Sequence, residues 1–218
     1  MSPPFHETLL QANRAAWDEM QAHPFVRAIE EDRLAPEAFL RYLAYERDFV
    51  GAAIEIFAHA LIRAPHFAAQ RHLIGVLRAL AEEQVPYFDE TFSALGAAPP
   101  SRENFPPAVA EFREGMLAIA RAGGYAEILA AMLAAEWMYA TWCARAAGRT
   151  IADPHIARWL ALHAAPGFTA GVAWLKQAVD GEAARAGEAG RSLLVRRFGE
   201  ALALEIGFHA APLERAAS

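Results

Sequence analysis

The segment from Ile128 to Ala144, ILAAMLAAEWMYATWCA, carries one carboxylate, Glu136, among apolar, aromatic and small side chains. A helix that is apolar on every side packs inside a protein. A buried carboxylate without a partner costs several kcal/mol or takes up a proton. The segment therefore predicts a core helix whose acid reaches solvent at one side, pairs with Arg145 from a later turn, or forms one wall of a site.

The rest of the sequence also favours helices, because it is rich in Ala and Leu and has no Val/Ile-rich alternation. Proline and glycine separate the helical segments, and no repeat or linker divides the chain. We predict helices at about 6–22, 36–63, 66–95 with a bend at Pro86, 107–122, 125–147, 154–163, 168–179 and 190–209. Residues 23–34 are expected to form a connector or short turn. The prediction is an all-α, single-domain bundle over residues 1–218, with a tail that frays after about residue 210.

Composition and charge argue against several classes of partner. The net charge is −6 and no basic stripe is present, so no nucleic-acid partner is expected. No run of 18 apolar residues lacks a charge, so no membrane span is expected. A single cysteine, Cys143, cannot form an intramolecular disulfide and suits a reducing compartment. The N-terminus does not resemble a signal peptide, and we expect a cytoplasmic protein.

Three acids lie on apolar stripes of three different predicted helices. Glu46 follows the 3–4 spacing of the second helix, and Glu205 follows that of the last. Each has a plain structural alternative. Glu46 stands beside Arg47 and Asp48 and would then belong to a solvated face, whereas Glu205 would lie at the edge of the core. Together with Glu136, the three predict a bundle with carboxylates inside, where acid–base chemistry or a metal ion is found.

No metal site is predicted, because no Glu is followed by a His three residues later, the spacing of ferritin-like di-iron sites. Glu55–His59 and Glu205–His209 are four apart and lack that paired pattern. Three other histidines are expected at the surface or in loops: His66, His72 and His155. Cys143 has no neighbouring base in the sequence and is predicted to be buried and inert.

The aromatic residues fall on the same helices as the acids. Most are expected to form core, but rings around a few carboxylates also suit a flat heteroaromatic ligand, whose nitrogens and amino groups the acids bind. No nucleophile elbow, phosphate-binding loop or dinucleotide fingerprint is present.

Five segments, in this order and spacing, resemble the TenA family, which includes thiaminase II and aminopyrimidine aminohydrolases and has the heme-oxygenase-like fold. They are HPFV (23–26), YLAYERDFV (42–50), EEQVPYFDETFSALG (82–96), GGYAEILAAMLAAEWMY (123–139) and FGEALALEIGF (198–208). The resemblance covers about residues 17–208. It implies an all-helical enzyme without metal or organic cofactor that forms a homo-oligomer, a dimer or tetramer.

The resemblance also implies substrate-binding residues. Glu46 takes the place of the acid that contacts the pyrimidine, which is Asp in members with a nucleophilic cysteine. Phe49 and Phe112 stand where those members usually have tyrosines that contact the ring. Tyr139 is the family tyrosine that follows the nucleophile, and His163 replaces a further tyrosine.

The catalytic glutamate of the family corresponds to Glu205, but the nucleophilic cysteine is replaced by Ala135. The pattern therefore resembles the cysteine-lacking E-type branch, which is implicated in pyrimidine salvage from degraded thiamin. Glu136, beside the vacant position, is expected to bind the pyrimidine or its leaving amine, or to activate water together with Glu205. His163 or His209 is expected to orient an acid, with a helix-end cap as the alternative for His209.

The expected function is hydrolysis of an aminomethyl- or formylaminomethyl-pyrimidine, without thiaminase activity on intact thiamin. Two alternatives remain at this point. Ala135 is compatible with a non-catalytic protein that binds a pyrimidine. An oxidase of the PQQ-synthesis type shares the fold, but it would need a His and Arg cluster for an anionic quinone, which the sequence does not display.

Overall fold

The computed structural model describes residues 3–214, which form eleven α-helices and no strand. The helices are α1 (Phe5–Ala12), α2 (Arg14–Gln21), α3 (Pro24–Glu30), α4 (Pro36–Arg63), α5 (Phe67–Ala79), α6 (Val85–Ala94), α7 (Pro107–Ala122), α8 (Tyr125–Ala147), α9 (Pro154–His163), α10 (Pro166–Arg185) and α11 (Glu188–Ala210). A π-helical turn, Leu80–Gln84, joins α5 to α6, and 3-10 turns lie at Arg102–Asn104 and Ala211–Leu213. The all-α prediction is confirmed.

Helix α8 lies at the centre of the bundle and packs against α4, α9, α10 and α11. Its first turn is capped by Glu127, whose carboxylate accepts a hydrogen bond of 3.0 Å from the Gly124 amide. Residues 128–135 are all buried, as the apolar sequence of this helix predicts. Arg145 pairs with Glu30 on α3, so the alternative pairing of Arg145 with Glu136 does not form.

The predicted bend at Pro86 is present as the π-helical turn that precedes it. Proline has no amide hydrogen and clashes with the preceding turn of a regular helix, and a wider turn relieves this clash. Glu83 and Gln84 of this turn line a cavity together with Glu46 and Phe57 of α4.

The predicted first helix is wrong in its continuity, because Asn13 divides it into α1 and α2. The Asn13 side-chain amide donates to the carbonyl groups of Leu9 (2.9 Å) and Val195 (3.1 Å). A Cβ atom at Gly199 would lie 2.2 Å from the Asn13 Oδ1 atom, so this contact with α11 requires glycine.

The prediction of a connector at 23–34 is also wrong in part, since this segment contains α3. His23 caps the helix by accepting a hydrogen bond from the Phe25 amide (3.2 Å), and Pro24 occupies the first turn. Phe25 and Ile29 are buried in the core, so tertiary packing stabilises a helix that is too short to form alone.

At the C-terminal end, α10 and α11 extend beyond their predicted bounds, and the predicted fraying after residue 210 is wrong for residues 211–213. Ala211 and Pro212 are buried, and the Arg41 guanidinium donates to the Pro212 carbonyl at 2.6 Å. The rest of the predicted tail, residues 215–218, lies outside the described residues. Between residues 3 and 214, no helix has both the length and the apolar character that a membrane span needs.

Candidate active site

A cavity with two adjoining compartments lies where α4, α7, α8, α9 and α11 meet. All seven residues predicted for the site line the inner compartment, which has a volume of about 50 Å³. They are Glu46 and Phe49 of α4, Phe112 of α7, Glu136 and Tyr139 of α8, His163 of α9 and Glu205 of α11. Ala135, at the position that corresponds to the nucleophile, lines the same compartment.

One wall of the inner compartment is aromatic. The rings of Phe49 and Phe112 lie 4.2 Å apart between centroids at 35°, and Phe112 contacts Phe208 at 4.7 Å. Phe112 and Phe208 are buried, whereas Phe49 is half-buried. The wall therefore offers apolar ring faces against which a heteroaromatic ring can pack.

Glu46 faces the cavity rather than solvent, so the solvated-face alternative is wrong. Its Oε2 atom accepts a hydrogen bond of 2.6 Å from the Trp159 indole, and its Oε1 atom lies 3.5 Å from the His163 Nε2 atom. The sequence carries no signal for this hydrogen bond between Trp159 and Glu46. Glu46 is therefore held in place by Trp159 and His163, and it lines both compartments.

His163 forms an ion pair with Glu46. Its Nδ1 atom donates to the Trp159 carbonyl at 3.0 Å, so the Nε2 atom carries a proton for Glu46 only in the imidazolium form. Burial lowers the pKa of His163, but the hydrogen bond and negative charge of Glu46, with smaller effects from Trp159 and Glu136, outweigh it and raise the pKa overall. The neighbouring acids thus stabilise the positive charge.

Glu136 projects into both compartments and does not pair with a cation of its own. Burial raises the pKa of Glu136 to about 7, with the nearby His163 lowering it and the charge of Glu46 raising it. The side chain is half-buried, because the cavity itself gives solvent access to it. A carboxyl with such a pKa exchanges protons readily near neutral pH.

Glu205 is 1% exposed, and neither of its carboxylate oxygens has a hydrogen-bond partner. Burial, together with the charges of Glu136 and Glu46, raises the pKa of Glu205 well above its usual value. Burial and the neighbouring acids thus favour the protonated form of Glu205, which lines the inner compartment.

His209 lies beside Glu205 as a neutral ring, because burial lowers the pKa of His209 to about 3. Its Nδ1 atom donates to the Glu205 main-chain carbonyl at 2.8 Å and lies 3.4 Å from the Oε2 atom. This hydrogen bond lies within α11, on a carbonyl one turn before His209, so the helix-end cap expected as an alternative for His209 does not form. Tyr139 is held by a hydroxyl–hydroxyl hydrogen bond of 2.8 Å to Tyr42.

Cys143 is fully buried, as predicted, and burial raises the pKa of its thiol well above the usual value. Such a thiol is a poor nucleophile. In the described part of the chain, no group of three His, Cys, Asp or Glu side chains is arranged to share a metal ion.

The outer compartment was not predicted from the sequence. It has a volume of about 400 Å³ and is formed by α5, the π-helical turn, α6, α9 and α10. The prediction of a surface or loop position for His72 is wrong, because its ring stacks on Trp174 with centroids 3.9 Å apart at 13° and lines this compartment. Burial lowers the pKa of His72, which keeps the stacked ring neutral at pH 7.

The family model described as the TENA/THI-4/PQQC family matches residues 10–214, a range that includes every residue of this site. The chain belongs to this family. Its sequence matches none of the curated proteins.

Solved structures of TenA proteins share the fold over their full lengths. A TenA homologue from Pyrococcus furiosus has a TM-score of 0.89 at 18% identity, covering 95% of this chain and 99% of its own. A protein from Silicibacter sp. TM1040 that is described as a TenA family transcription regulator has a TM-score of 0.87 at 19% identity, with 97% of each chain covered. A TenA homologue from P. horikoshii OT3 has a TM-score of 0.84 at 19% identity, with coverage of 96% and 98%. At these identities the likeness shows the TenA fold.

Proposed function

We propose that this TenA-family chain hydrolyses an aminomethyl- or formylaminomethyl-pyrimidine without a cysteine nucleophile. The observation that carries the proposal is the convergence of Glu46, Glu136 and Glu205 on one small compartment that Ala135 also lines. With a methyl group at the nucleophile position, a covalent adduct through residue 135 has no chemical basis. Water activated by carboxylates is then the available nucleophile.

The shape and charge of the cavity suit an aminopyrimidine. The heteroaromatic ring stacks on the wall of Phe49 and Phe112, and the fixed carboxylate of Glu46 accepts a hydrogen bond from the ring amino group. The carboxyl and imidazole groups that line the two compartments belong to glutamates and histidines, and the described lining contains neither Arg nor Lys. The negative electrostatic potential of such a lining favours binding of an amine and disfavours binding of the anionic quinone that the oxidase alternative requires.

The two remaining glutamates divide the proton transfers. Glu136, with its pKa of about 7, takes a proton from water as the water oxygen bonds to the methylene carbon. The C–N bond breaks, and the neutral Glu205 gives its proton to the departing amine, so the products are a hydroxymethylpyrimidine and ammonia. Proton exchange with solvent through the cavity resets both acids. For the formyl compound, the same water attacks the formyl carbon and releases formate.

Turnover of 4-amino-5-aminomethyl-2-methylpyrimidine and its N-formyl derivative tests the proposal. Wild type is expected to release ammonia or formate, and Glu136→Gln and Glu205→Gln are each expected to lower kcat by at least about 100-fold. Glu111→Gln, at an exposed glutamate of α7, is the matched control and is expected to retain activity. Intact thiamin is expected to remain uncleaved.

One rival function is supported by a specific residue, because Ala135 is also what a non-catalytic pyrimidine-binding protein would have. Calorimetry separates the two. Saturable binding of the pyrimidine with no product from wild type would contradict the hydrolase and support the binding protein. No binding of either pyrimidine would contradict both functions.

A further inference from the structure

Two ion pairs join α4 to α7, and they differ in burial. Near the inner compartment, the Asp48 Oδ2 atom of α4 lies 3.6 Å from the Arg113 Nε atom of α7, and the Asp48 side chain is 10% exposed. About two turns further along both helices, Glu55 pairs with Arg121 at 2.9 Å, and the Glu55 side chain is 41% exposed. An exposed ion pair contributes little to a structure, whereas breaking a buried pair leaves an uncompensated charge.

Asp48 has a second partner outside the long helices. The Arg102 guanidinium, from the 3-10 turn Arg102–Asn104, pairs with the Asp48 Oδ1 atom. The Nη1 atom of Arg113 pairs with the exposed Glu114, but its Nε atom is buried and has no hydrogen-bond partner among the described residues. The Asp48 carboxylate faces this buried nitrogen, so one acid connects α4, α7 and the 3-10 turn.

These ions adjoin the aromatic wall in the sequence of both helices. Asp48 directly precedes Phe49, and Arg113 directly follows Phe112. The two rings lie 4.2 Å apart between centroids. Successive side chains on a helix point in different directions, so the ions lie beside the rings rather than between them. The separation of α4 and α7 at this level therefore sets the positions of both rings.

Loss of the Asp48 charge would alter this separation. Without that acid, the buried Nε atom of Arg113 lacks its counter-ion, and the free energy of an uncompensated buried charge is relieved when the side chain or its helix moves towards water. Loss of the Glu55 charge has no such consequence, because the side chain of its partner Arg121 is 51% exposed.

We propose that Asp48 is a positioning residue: its pairs with Arg113 and Arg102 hold α4 and α7 at the separation at which the aromatic wall packs against an aminopyrimidine. The inference rests on the proposed function for the identity of the ligand. Asp48 lines neither compartment, so its effect passes through the wall. It controls binding of the ring and not the proton transfers.

Calorimetry with 4-amino-5-hydroxymethyl-2-methylpyrimidine, the proposed product, tests this without turnover. Asp48→Asn keeps the shape of the side chain and is expected to raise Kd by about tenfold. Arg102→Gln removes one of the two partners and is expected to raise Kd by about threefold. Glu55→Gln, at the exposed pair between the same helices, is the matched control and is expected to bind as wild type does. A Kd for Asp48→Asn within about twofold of wild type would overturn the proposal.

A purely structural role for Asp48 is distinguished by kinetics and by a double-mutant cycle. In Asp48→Asn, KM for the aminomethyl compound is expected to rise with little change in kcat, because contacts with the ring are made equally in the ground and transition states. Phe49→Leu removes one ring of the wall, so adding Asp48→Asn to it is expected to change Kd little further. The same loss of affinity in both backgrounds would overturn the proposal. Arg102→Gln carries the same cycle if urea unfolding shows that Asp48→Asn is not folded.

Failure of this inference is distinguishable from failure of the proposed function. Binding that Asp48→Asn weakens, without turnover of the aminomethyl compound by wild type, would support the positioning role and contradict the hydrolase. Turnover together with a Kd that Asp48→Asn leaves unchanged would contradict only the positioning role. No binding of the pyrimidine to wild type would contradict both.

Discussion

The inner and outer compartments of the cavity are built in opposite ways. The inner compartment is lined by residues of the central helices α4, α7, α8 and α11, such as Phe112 of α7 and Glu205 of α11, which are almost completely buried. The outer compartment is lined mainly by α5, the π-helical turn, α6, α9 and α10, and its Trp174 and His72 side chains remain partly exposed.

This difference in burial and volume suits the two compartments to different roles. Burial shifts the pKa values of ionisable groups, and the three carboxyl groups that the proposed function uses all line the inner compartment. The outer compartment has more space, and two glycines of α10, Gly167 and Gly171, are part of its lining. Under the proposed function, the proton transfers take place in the inner compartment, and the outer one connects it to solvent.

The largest expected difference between the compartments is in stability. Phe112 packs against Phe49 and Phe208 in the core, so Phe112→Ala is expected to lower the free energy of unfolding by about 3–5 kcal/mol. Trp174→Ala removes a partly exposed ring and is expected to cost about 1 kcal/mol. Urea unfolding of both variants measures this, and equal losses would mean that the outer wall is also core.

A smaller effect with a defined pH dependence is expected for Glu136. Its pKa of about 7 in the folded protein exceeds the ordinary value of 4.5, so the folded state loses stability as the pH rises through this interval. Glu136→Gln removes that loss, and we expect it to raise the free energy of unfolding by about 1–3 kcal/mol at pH 8, after allowance for its partial solvent access.

At pH 4, where Glu136 is protonated in both states, the same substitution is expected to change stability little. Glu111→Gln is the control at both pH values. Equal unfolding free energies of wild type and Glu136→Gln at pH 8 would show that the carboxylate is ionised without cost, which contradicts the proton-transfer role.

The smallest expected effect concerns the stacked wall of the outer compartment. Burial lowers the pKa of His72, so its contribution is the flat neutral ring rather than a charge. His72→Phe is therefore expected to change the unfolding free energy by less than about 0.5 kcal/mol, whereas His72→Ala removes the ring from the stack with Trp174 and is expected to lower it further. A larger loss of stability in His72→Phe, measured by urea unfolding, would indicate a polar role for the imidazole.

The sequence predicted the central part of the molecule well. Apolar stripes at 3–4 spacing placed Glu46 and Glu205 towards the interior, and the apolar surroundings of Glu136 did the same for α8. The family resemblance supplied the aromatic positions, Phe49 and Phe112, on the helices that adjoin these acids. Helical periodicity over three or more turns carries this information because one face of each long helix must be buried.

The remaining features depend on tertiary contacts that leave no local pattern. The break at Asn13 is stabilised by a hydrogen bond to Val195, and the wall of the outer compartment by the stack of His72 on Trp174, residues more than 100 positions apart. The proline at position 86 marked a bend, but only packing decides that the wider turn lies before it. Single contacts of this kind are set by the fold, so periodicity does not reveal them.

The most direct test of the central claim is to follow wild-type protein with 4-amino-5-aminomethyl-2-methylpyrimidine in water labelled with oxygen-18. Mass spectrometry of the pyrimidine product shows where the C–N bond was cut. Hydrolysis at the methylene carbon would give one labelled oxygen in a new hydroxymethyl group, with ammonia released in equal amount. Glu205→Gln is expected to form this product at least about 100-fold more slowly. Label in place of the ring amino group, or bound pyrimidine that is recovered unchanged, would contradict it.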